Sequence, residues 1–389
     1  MLKIAHIITR FINGGADENT LETCNYQAAA GHQVTLIYGD EFTDRMLNRL
    51  DKRVSALRVP HLVRPVAPVK DIIALARISR HLAKLKPDIV HTHTSKAGFI
   101  GRLATLATPQ SIIVHGVHIL PFTSENKAKF LTYLALEKIV TPFTDHFIDV
   151  SDGMRDLCLN HRLGAPDQHN VIASGMDIDQ FRSASPAEDL QLAKHNNEGK
   201  PVLTIGYIAV LEKRKRHREL IEAIAPLLAR HSMVRLVFAG DGPEKESLQS
   251  LINNLGLAGR INLLGFRDDP EAVIAACDIC VFFSEREGLP RSVVQYAIGA
   301  RPIVAMNLPG LERIVRHDEN GYIANSSAEF SDFLETLITN PDLRSAMAKA
   351  SGDMNLSAWS AREMAHQIEQ VYHKLLSSPS AMAPKNQTM

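Results

Sequence analysis

What most constrains this chain is a rhythm. Short apolar runs alternate with helical stretches, and the alternation happens twice with a polar interruption between. The first series opens at Lys3–Thr9, passes a glycine-containing turn at Asn13-Gly14-Gly15 and a helical stretch near Glu18–Ala30, stops at Gly31-His32 and resumes at Gln33–Tyr38. Strand, turn, helix, strand is the unit of a parallel sheet, because parallel strands need a crossover long enough to hold a helix. Further strands are predicted at Ile89–His93, Ser111–Val114 and His146–Val150. Ser183, Ser185, Pro186, Asn196, Asn197, Glu198 and Gly199 then make a polar, turn-rich stretch. After it the rhythm restarts. Strands are predicted at Val202–Ile208, Val234–Ala239, Ile261–Leu264, Ile279–Phe283 and Pro302–Ala305, and helices at Arg218–Arg230, Glu244–Leu255, Pro270–Ala276 and Arg291–Ile298.

A length of 389 residues exceeds what one hydrophobic core serves, which agrees with two domains. The expected division is a first α/β domain at 1–181, a linker at 182–200 and a second α/β domain at 201–358. A helix at 359–377 is expected to pack back toward the first domain, before a disordered tail at 378–389. Two consecutive halves of this kind predict a cleft between them, with ligands beyond the carboxyl ends of the strands.

Formal net charge is zero, so composition does not call for a nucleic acid partner. No apolar run reaches the roughly 18–20 residues of a membrane span, and no secretory leader is visible, so a cytoplasmic protein is expected. Cys277 and Cys280 have the C-x-x-C spacing without a second pair, and they run into Val281-Phe282-Phe283. Core packing is the expected role and no metal is expected there.

Four features could carry chemistry. Gly14-Gly15 lies between a strand and a helix, where glycines let backbone approach a phosphate. A tight turn without a ligand fits equally well. Ser284-Glu285-Arg286-Glu287-Gly288-Leu289-Pro290 follows an apolar strand and opens a helix. Its carboxylates could accept from sugar hydroxyls or simply cap that helix. His91 and His93 alternate at a strand end, a spacing open to metal binding or to orienting loops by hydrogen bonds. Asp177-Ile178-Asp179 is a D-x-D, in a connection after a strand where a structural role is favoured over metal binding.

Read together, the motifs have a family likeness. Glu287-Gly288-Leu289-Pro290, Ala297 to Ala305, Pro309-Gly310-Leu311-Glu312 and Asn320-Gly321 resemble the nucleotide-sugar half of family-four retaining glycosyltransferases. These have the GT-B fold, two facing Rossmann-like domains with parallel sheets and a donor cleft. The resemblance continues through Gly240-Asp241-Gly242-Pro243-Glu244 and Gly265-Phe266. In the first half it takes in Gly14-Gly15-Ala16, Pro87 to His93, and Ser174-Gly175-Met176-Asp177 with Phe181. It covers nearly the whole chain in order.

The resemblance implies roles. Glu287 corresponds to the carboxylate that holds the donor sugar, and Lys215 to the lysine on the donor diphosphate. His118 corresponds to an active-site histidine near the transferred sugar. Gly14 and Gly15 would lie against the donor phosphate, Gly265 and Phe266 near the base, and Gly288 and Leu289 along the donor. Two positions depart from the family. Gln295 stands where a second glutamate contacts the ribose; its amide hydrogen-bonds hydroxyls without the charge. Val210 stands where an arginine partners the lysine, and Lys213, Arg214 or Arg216 could substitute.

The implied reaction moves a hexosyl or N-acetylhexosaminyl group, with retention and without a metal cofactor, from a UDP- or GDP-linked donor to a glycan or lipid-linked acceptor in cell-envelope polysaccharide or lipopolysaccharide synthesis. Between Arg45 and Lys86, eleven Lys and Arg face only Asp51 and Asp71, a local excess of nine. With Phe130, Leu131, Leu134 and Ile139 on a predicted helix, this fits peripheral contact with the inner face of the cell membrane, or equally a solvated face and a core helix. Val210 and Gln295 also fit a non-catalytic glycan-binding or scaffold subunit of the same fold. A sugar-nucleotide epimerase fits the motifs less well, and the missing G-x-G-x-x-G disfavours a nicotinamide-dependent dehydrogenase.

Overall fold

The computed structural model describes residues 1–12, 14–118, 127–191 and 201–377. Asn13, the end of the expected linker and the expected disordered tail lie outside the described residues. The chain divides into two units, Met1–Met176 with Ala358–Met389, and Asp177–Ser357.

The first unit runs β1 (Lys3–Phe11), α1 (Gly15–Ala29), β2 (Gln33–Phe42), α2 (Asp44–Asn48), β3 (Ser55–Arg58), α3 (Pro68–Leu85), β4 (Ile89–His93), α4 (Ser95–Ala104), β5 (Ile112–Val117), α5 (Lys127–Val140), β6 (His146–Asp149), α6 (Asp152–Asn160) and β7 (His169–Val171). Its seven strands are all parallel, in the order β3-β2-β1-β4-β5-β6-β7. The second unit runs α7 (Ile178–Arg182), α8 (Glu188–Gln191), β8 (Leu203–Ile208), α9 (His217–Arg230), β9 (Val234–Ala239), α10 (Lys245–Asn254), β10 (Ile261–Gly265), α11 (Pro270–Ala276), β11 (Ile279–Phe282), α12 (Arg291–Ile298), β12 (Ile303–Met306), β13 (Gly321–Ala324), α13 (Ser327–Thr339) and α14 (Pro341–Gly352). Its six parallel strands take the order β10-β9-β8-β11-β12-β13. The chain ends with α15 (Ala361–Ser377), which belongs to the first unit.

Both orders are those of doubly wound, Rossmann-like sheets. In each, the connection reverses direction between two adjacent central strands, β1 and β4 in one and β8 and β11 in the other. Loops leaving such a pair at its carboxyl end splay apart and leave a crevice, the usual ligand position in open parallel sheets. Four loops therefore matter: those after β1, β4, β8 and β11.

Several boundaries differ from the sequence expectation. Helix α1 starts at Gly15 rather than near Glu18, because the Asp17 carboxylate accepts from the Gly14 amide (2.8 Å) and the Ile12 amide (3.2 Å) and closes the first turn. Strand β5 runs on to Val117 past His115-Gly116, since His115 is buried against Gly98 and accepts or donates at Thr92 Oγ1 (2.9 Å). The expected linker at 182–200 begins inside the second unit. Ala187 donates its amide to Ala272 (3.0 Å), Leu190 is buried, and Arg267 reaches Asp189 (2.8 Å), so part of the polar composition is consumed in contacts.

Helix α15 has a single apolar face. Met364, Ala365, Ile368, Val371 and Tyr372 recur at helical spacing. Met364, Ile368, Val371 and Tyr372 pack with Ile4, Ile89, Ile112, Val114, Ile148 and Ile172 of the first sheet. Fully buried apolar side chains of this size contribute about 1.5–3 kcal/mol each. Among the described residues, no helix is long and apolar enough to cross a membrane.

Candidate active site

The loops after β8 and β11 meet in the second unit. Strand β11 is wholly buried, which fixes where its chain emerges, and Phe283 and Ser284 after it are buried too. Tyr207 of β8 ties the two loops together: its hydroxyl donates to the Lys215 carbonyl (3.0 Å) and lies 3.1 Å from Ser284 Oγ. Backbone continues the tie, as the Glu285 amide donates to the Arg214 carbonyl (2.8 Å). A short 3-10 turn, Lys213–Lys215, ends at Arg216 in the left-handed region (φ 52°).

This geometry turns Arg214 and Lys215 to one side, where both reach Glu287. The Lys215 ammonium donates to Glu287 Oε1, and Arg214 Nη1 donates to Oε2 (2.8 Å). Arg214 also pairs through Nε with Glu212 (2.6 Å). The Glu287 and Lys215 side chains are only 10% and 12% exposed, so water screens this pair weakly. Burial alone would raise the Glu287 pKa, but Lys215 and Arg214 outweigh it and hold the carboxyl below its ordinary value, hence ionised. For Lys215 burial is the larger influence and draws its pKa down, with Glu287 opposing. Two cations thus share one carboxylate at the switch point of the second sheet.

The other residues named from the sequence in this unit fall around that centre or at neighbouring strand ends. Gly288 and Leu289 are half-buried and lead into α12, whose first amides follow Pro290. Gln295 is half-buried on α12, one turn along. Val210 follows β8 and is 52% exposed; no cation stands there, and Arg214 supplies the second positive charge. Lys213 is exposed, and Arg216 lies over the Phe283 ring, 5.2 Å from its centroid, so neither joins the cluster. Gly265 closes β10 at φ 71°, and Phe266 after it presents an exposed ring.

In the first unit, Gly14 caps α1 with its amide already committed to Asp17, and Gly15 is exposed as the first helical residue. An anion at this turn therefore competes with an internal carboxylate for the Gly14 amide. His118 is half-buried just past β5, with Nε2 3.2 Å from His93 Nδ1. His93 and His91 are buried on β4, and directly after them Thr94 takes φ 63°, ψ 160°, a conformation costing of order 1–3 kcal/mol for a residue other than glycine. His6, His91 and His93 each offer a nitrogen within 4.8 Å of the other two, the one grouping of potential metal ligands among the described residues.

The remaining motifs have structural work. Asp177 caps α7 by accepting from the Gln180 amide (3.0 Å). Cys277 and Cys280 are buried and unpaired, with Cys277 Sγ against the Val273 carbonyl (3.1 Å). Of the residues in the cluster, Arg214 was singled out by sequence only as one of three cations; its reach to Glu287 depends on the turn before Arg216.

Comparison with known proteins adds an independent line. Residues 13–180 match the family model described as Glycosyltransferase Family 4, and residues 189–354 the model described as Glycosyl transferases group 1. The chain is 31% identical over 265 residues to EpsD of Bacillus subtilis (strain 168), described as a glycosyltransferase, covering 66% of this chain and 68% of that one. It is 25% identical over 380 residues to the UDP-Gal:alpha-D-GlcNAc-diphosphoundecaprenol alpha-1,3-galactosyltransferase of Escherichia coli, covering 95% and 96%. Among solved structures, Alr3699/HepE of Anabaena, crystallised with UDP and glucose, superposes with a TM-score of 0.80 over 96% of this chain and 100% of its own, at 20% identity. That last likeness is one of fold.

Proposed function

Because the chain belongs to the glycosyltransferases of the GT-B fold, we propose that it transfers a sugar from a UDP- or GDP-linked donor to a glycan or lipid-linked acceptor of the cell envelope. The transfer proceeds with retention, as in family four. The transferred group is a hexose or N-acetylhexosamine, a class suggested by relatives such as the galactosyltransferase. The observation that carries the reading is the Lys215–Glu287–Arg214 cluster at the switch point of the second sheet.

Glu287 neutralises two cations. With donor, each partner has a better use. The diphosphate takes Lys215 and Arg214, and the α12 amides face it as well. Glu287, relieved of them, accepts from the hydroxyls of the sugar. As the sugar–phosphate bond breaks, negative charge grows on the leaving diphosphate, where fixed cations stabilise it more than in the ground state. These side chains take the place of a divalent metal. The carboxylate that fixes the sugar also opposes the positive character of its anomeric carbon. Gln295 contacts the ribose, and Gly265 and Phe266 lie toward the base. From the first unit, Gly14-Gly15 serves the donor phosphate and His118 the transferred sugar. Arg214 restores the charge that Val210 lacks, and this weighs against a non-catalytic scaffold.

The acceptor side accords with a lipid surface. Val66, Val69, Ile72 and Ile73 are exposed at and before the start of α3, beside exposed Arg64 and Lys70. Leu131 and Ile139 are exposed on α5. Apolar side chains set among cations are the composition of an interfacial contact with anionic lipid.

The test is a thermal-shift panel of UDP-, GDP- and ADP-linked sugars on wild type and Lys215→Ala. A ligand that binds only the folded state raises the melting temperature. One donor class stabilising the wild type and not the variant supports the reading. No shift by any donor at saturating concentration refutes it.

A further inference from the structure

Behind His118 the first unit carries an unbroken row of buried hydrogen-bonding groups. Gln27 Oε1 lies 2.8 Å from His6 Nε2, His6 Nδ1 lies 2.9 Å from His93 Nε2, and His93 Nδ1 lies 3.2 Å from His118 Nε2. Helix α1 supplies Gln27, β1 His6, β4 His93 and the end of β5 His118. Parallel register sets His6 beside His91 and His93 beside Gly116. Gly116 makes the last step possible: a Cβ there would lie 3.2 Å from both His118 Nε2 and His93 Nδ1, and 3.3 Å from His91 Nε2. Gln27, His6 and His93 are 0–2% exposed. The small cavity at this end, about 10 Å³ and lined by His91, His93, Gly116 and His118, holds one water at most.

The three contacts are direct, so their protons must be arranged consistently. His6 and His93 are buried, and their contacts in the row are to an amide and to other imidazoles with no carboxylate among them, so the uncharged ring is favoured at both. A neutral imidazole has one N–H and one bare nitrogen. Each of the three contacts needs one proton, not two and not none. Fixing any one contact therefore fixes the rest. With the Gln27 carbonyl oxygen toward His6, His6 donates from Nε2 and accepts at Nδ1; the opposite amide orientation would reverse every proton of the row. His93 then donates from Nε2 and accepts at Nδ1, and His118 donates from Nε2.

We propose that Gln27, His6 and His93 are positioning residues that set the tautomer of His118, making its Nδ1 an acceptor toward a hydroxyl of the sugar being handled. The inference rests on the role proposed above for His118, although the row itself does not. A side chain on α1 thereby decides whether the active-site imidazole accepts or donates.

The experiment is two-bond 1H–15N correlation NMR on the full-length, 15N-histidine-labelled chain, which reads the protonated nitrogen of each ring, paired with donor kinetics. Wild type is expected to show the Nε2–H tautomer at His6, His93 and His118. Gln27→Glu keeps an acceptor at the end of the row and is expected to preserve that pattern and turnover. Gln27→Leu removes it, and His118 is expected to shift toward Nδ1–H with kcat down about tenfold and donor KM nearly unchanged. If Gln27→Leu does not fold, His6→Gln breaks the row one step along and is read the same way. His118 as Nδ1–H in wild type, or a tautomer indifferent to both breaks, overturns the inference. So does a divalent transition metal bound by His6, His91 and His93. An intact NMR pattern with full turnover in His118→Ala overturns instead the role of His118.

Discussion

Glu287→Gln is expected to improve one binding reaction while damaging another. Lys215 and Arg214 both pair with the Glu287 carboxylate. Hydrogen bonds to charged groups contribute about 1.5–3 kcal/mol each, and on the proposed role a nucleoside diphosphate takes these donors away. A glutamine keeps the shape and still accepts one hydrogen bond, but it no longer holds two cations. If about 1.4 kcal/mol of that competition is relieved, UDP or GDP without a sugar binds about tenfold tighter. The sugar has lost its charged acceptor, so transfer slows, by about ten- to a hundredfold if 1.4–2.8 kcal/mol of transition-state binding goes with it.

Stability gives a second reading of the same change. The folded-state pKa of Glu287 lies below its ordinary value. Its pairing therefore stabilises the fold above the ordinary glutamate pKa and is lost as pH falls through the folded value. The variant should melt lower at neutral pH, by roughly 4–8 °C for a loss of about 2 kcal/mol, and the gap should close in acid. Calorimetric titration with UDP and GDP, a transfer assay and melting curves across pH measure all three. Diphosphate affinity that is unchanged or weaker in the variant refutes the competition, and a melting gap that persists in acid refutes the pairing.

Two further expectations concern neighbouring features. Lys215→Met and Arg214→Met act on one carboxylate and, on the proposed role, one diphosphate, so the double variant should weaken donor binding by less than the two single losses combined, measured by titration calorimetry in a double-mutant cycle. Asp177→Ala removes a helix cap and should cost about 1 kcal/mol in denaturant unfolding, while leaving transfer rate and its response to added Mg2+ or chelator unchanged.

Legibility from sequence followed burial and chain distance. Central strands such as β1, β9 and β11 are buried on both faces and read as largely apolar runs. The strands not foreseen, β3, β7 and β13, are three or four residues long and lie at sheet edges; β3 and β7 leave half-exposed positions and no apolar run, and β13, though mostly buried, is only Gly321-Tyr322-Ile323-Ala324. The site divided likewise. Glu287 and Lys215 stand within motifs and could be named. Arg214 could not be chosen from Lys213 and Arg216 without the left-handed residue that ends their turn. His91-x-His93 was visible as a pair, but His6 and the end of β5 that carries His118 are brought to it by strand register, and Gln27 reaches His6 from α1, none of which local periodicity encodes.

Helix α15 sets an order of events during synthesis. The first unit's sheet exposes Ile4, Ile89, Ile112 and Ile148 until Met364, Ile368 and Val371 arrive, and His91 waits for the Tyr372 hydroxyl that lies 2.6 Å from it. The whole of Asp177–Ser357 is translated in between. At roughly 5–20 residues per second, that delay is about 10–40 s. A ribosome-bound chain therefore carries an uncovered apolar surface in its first half while its second half is already able to collapse. The first half is completed last, and a fragment ending before Ala361 is a substrate for chaperones rather than an expressible domain.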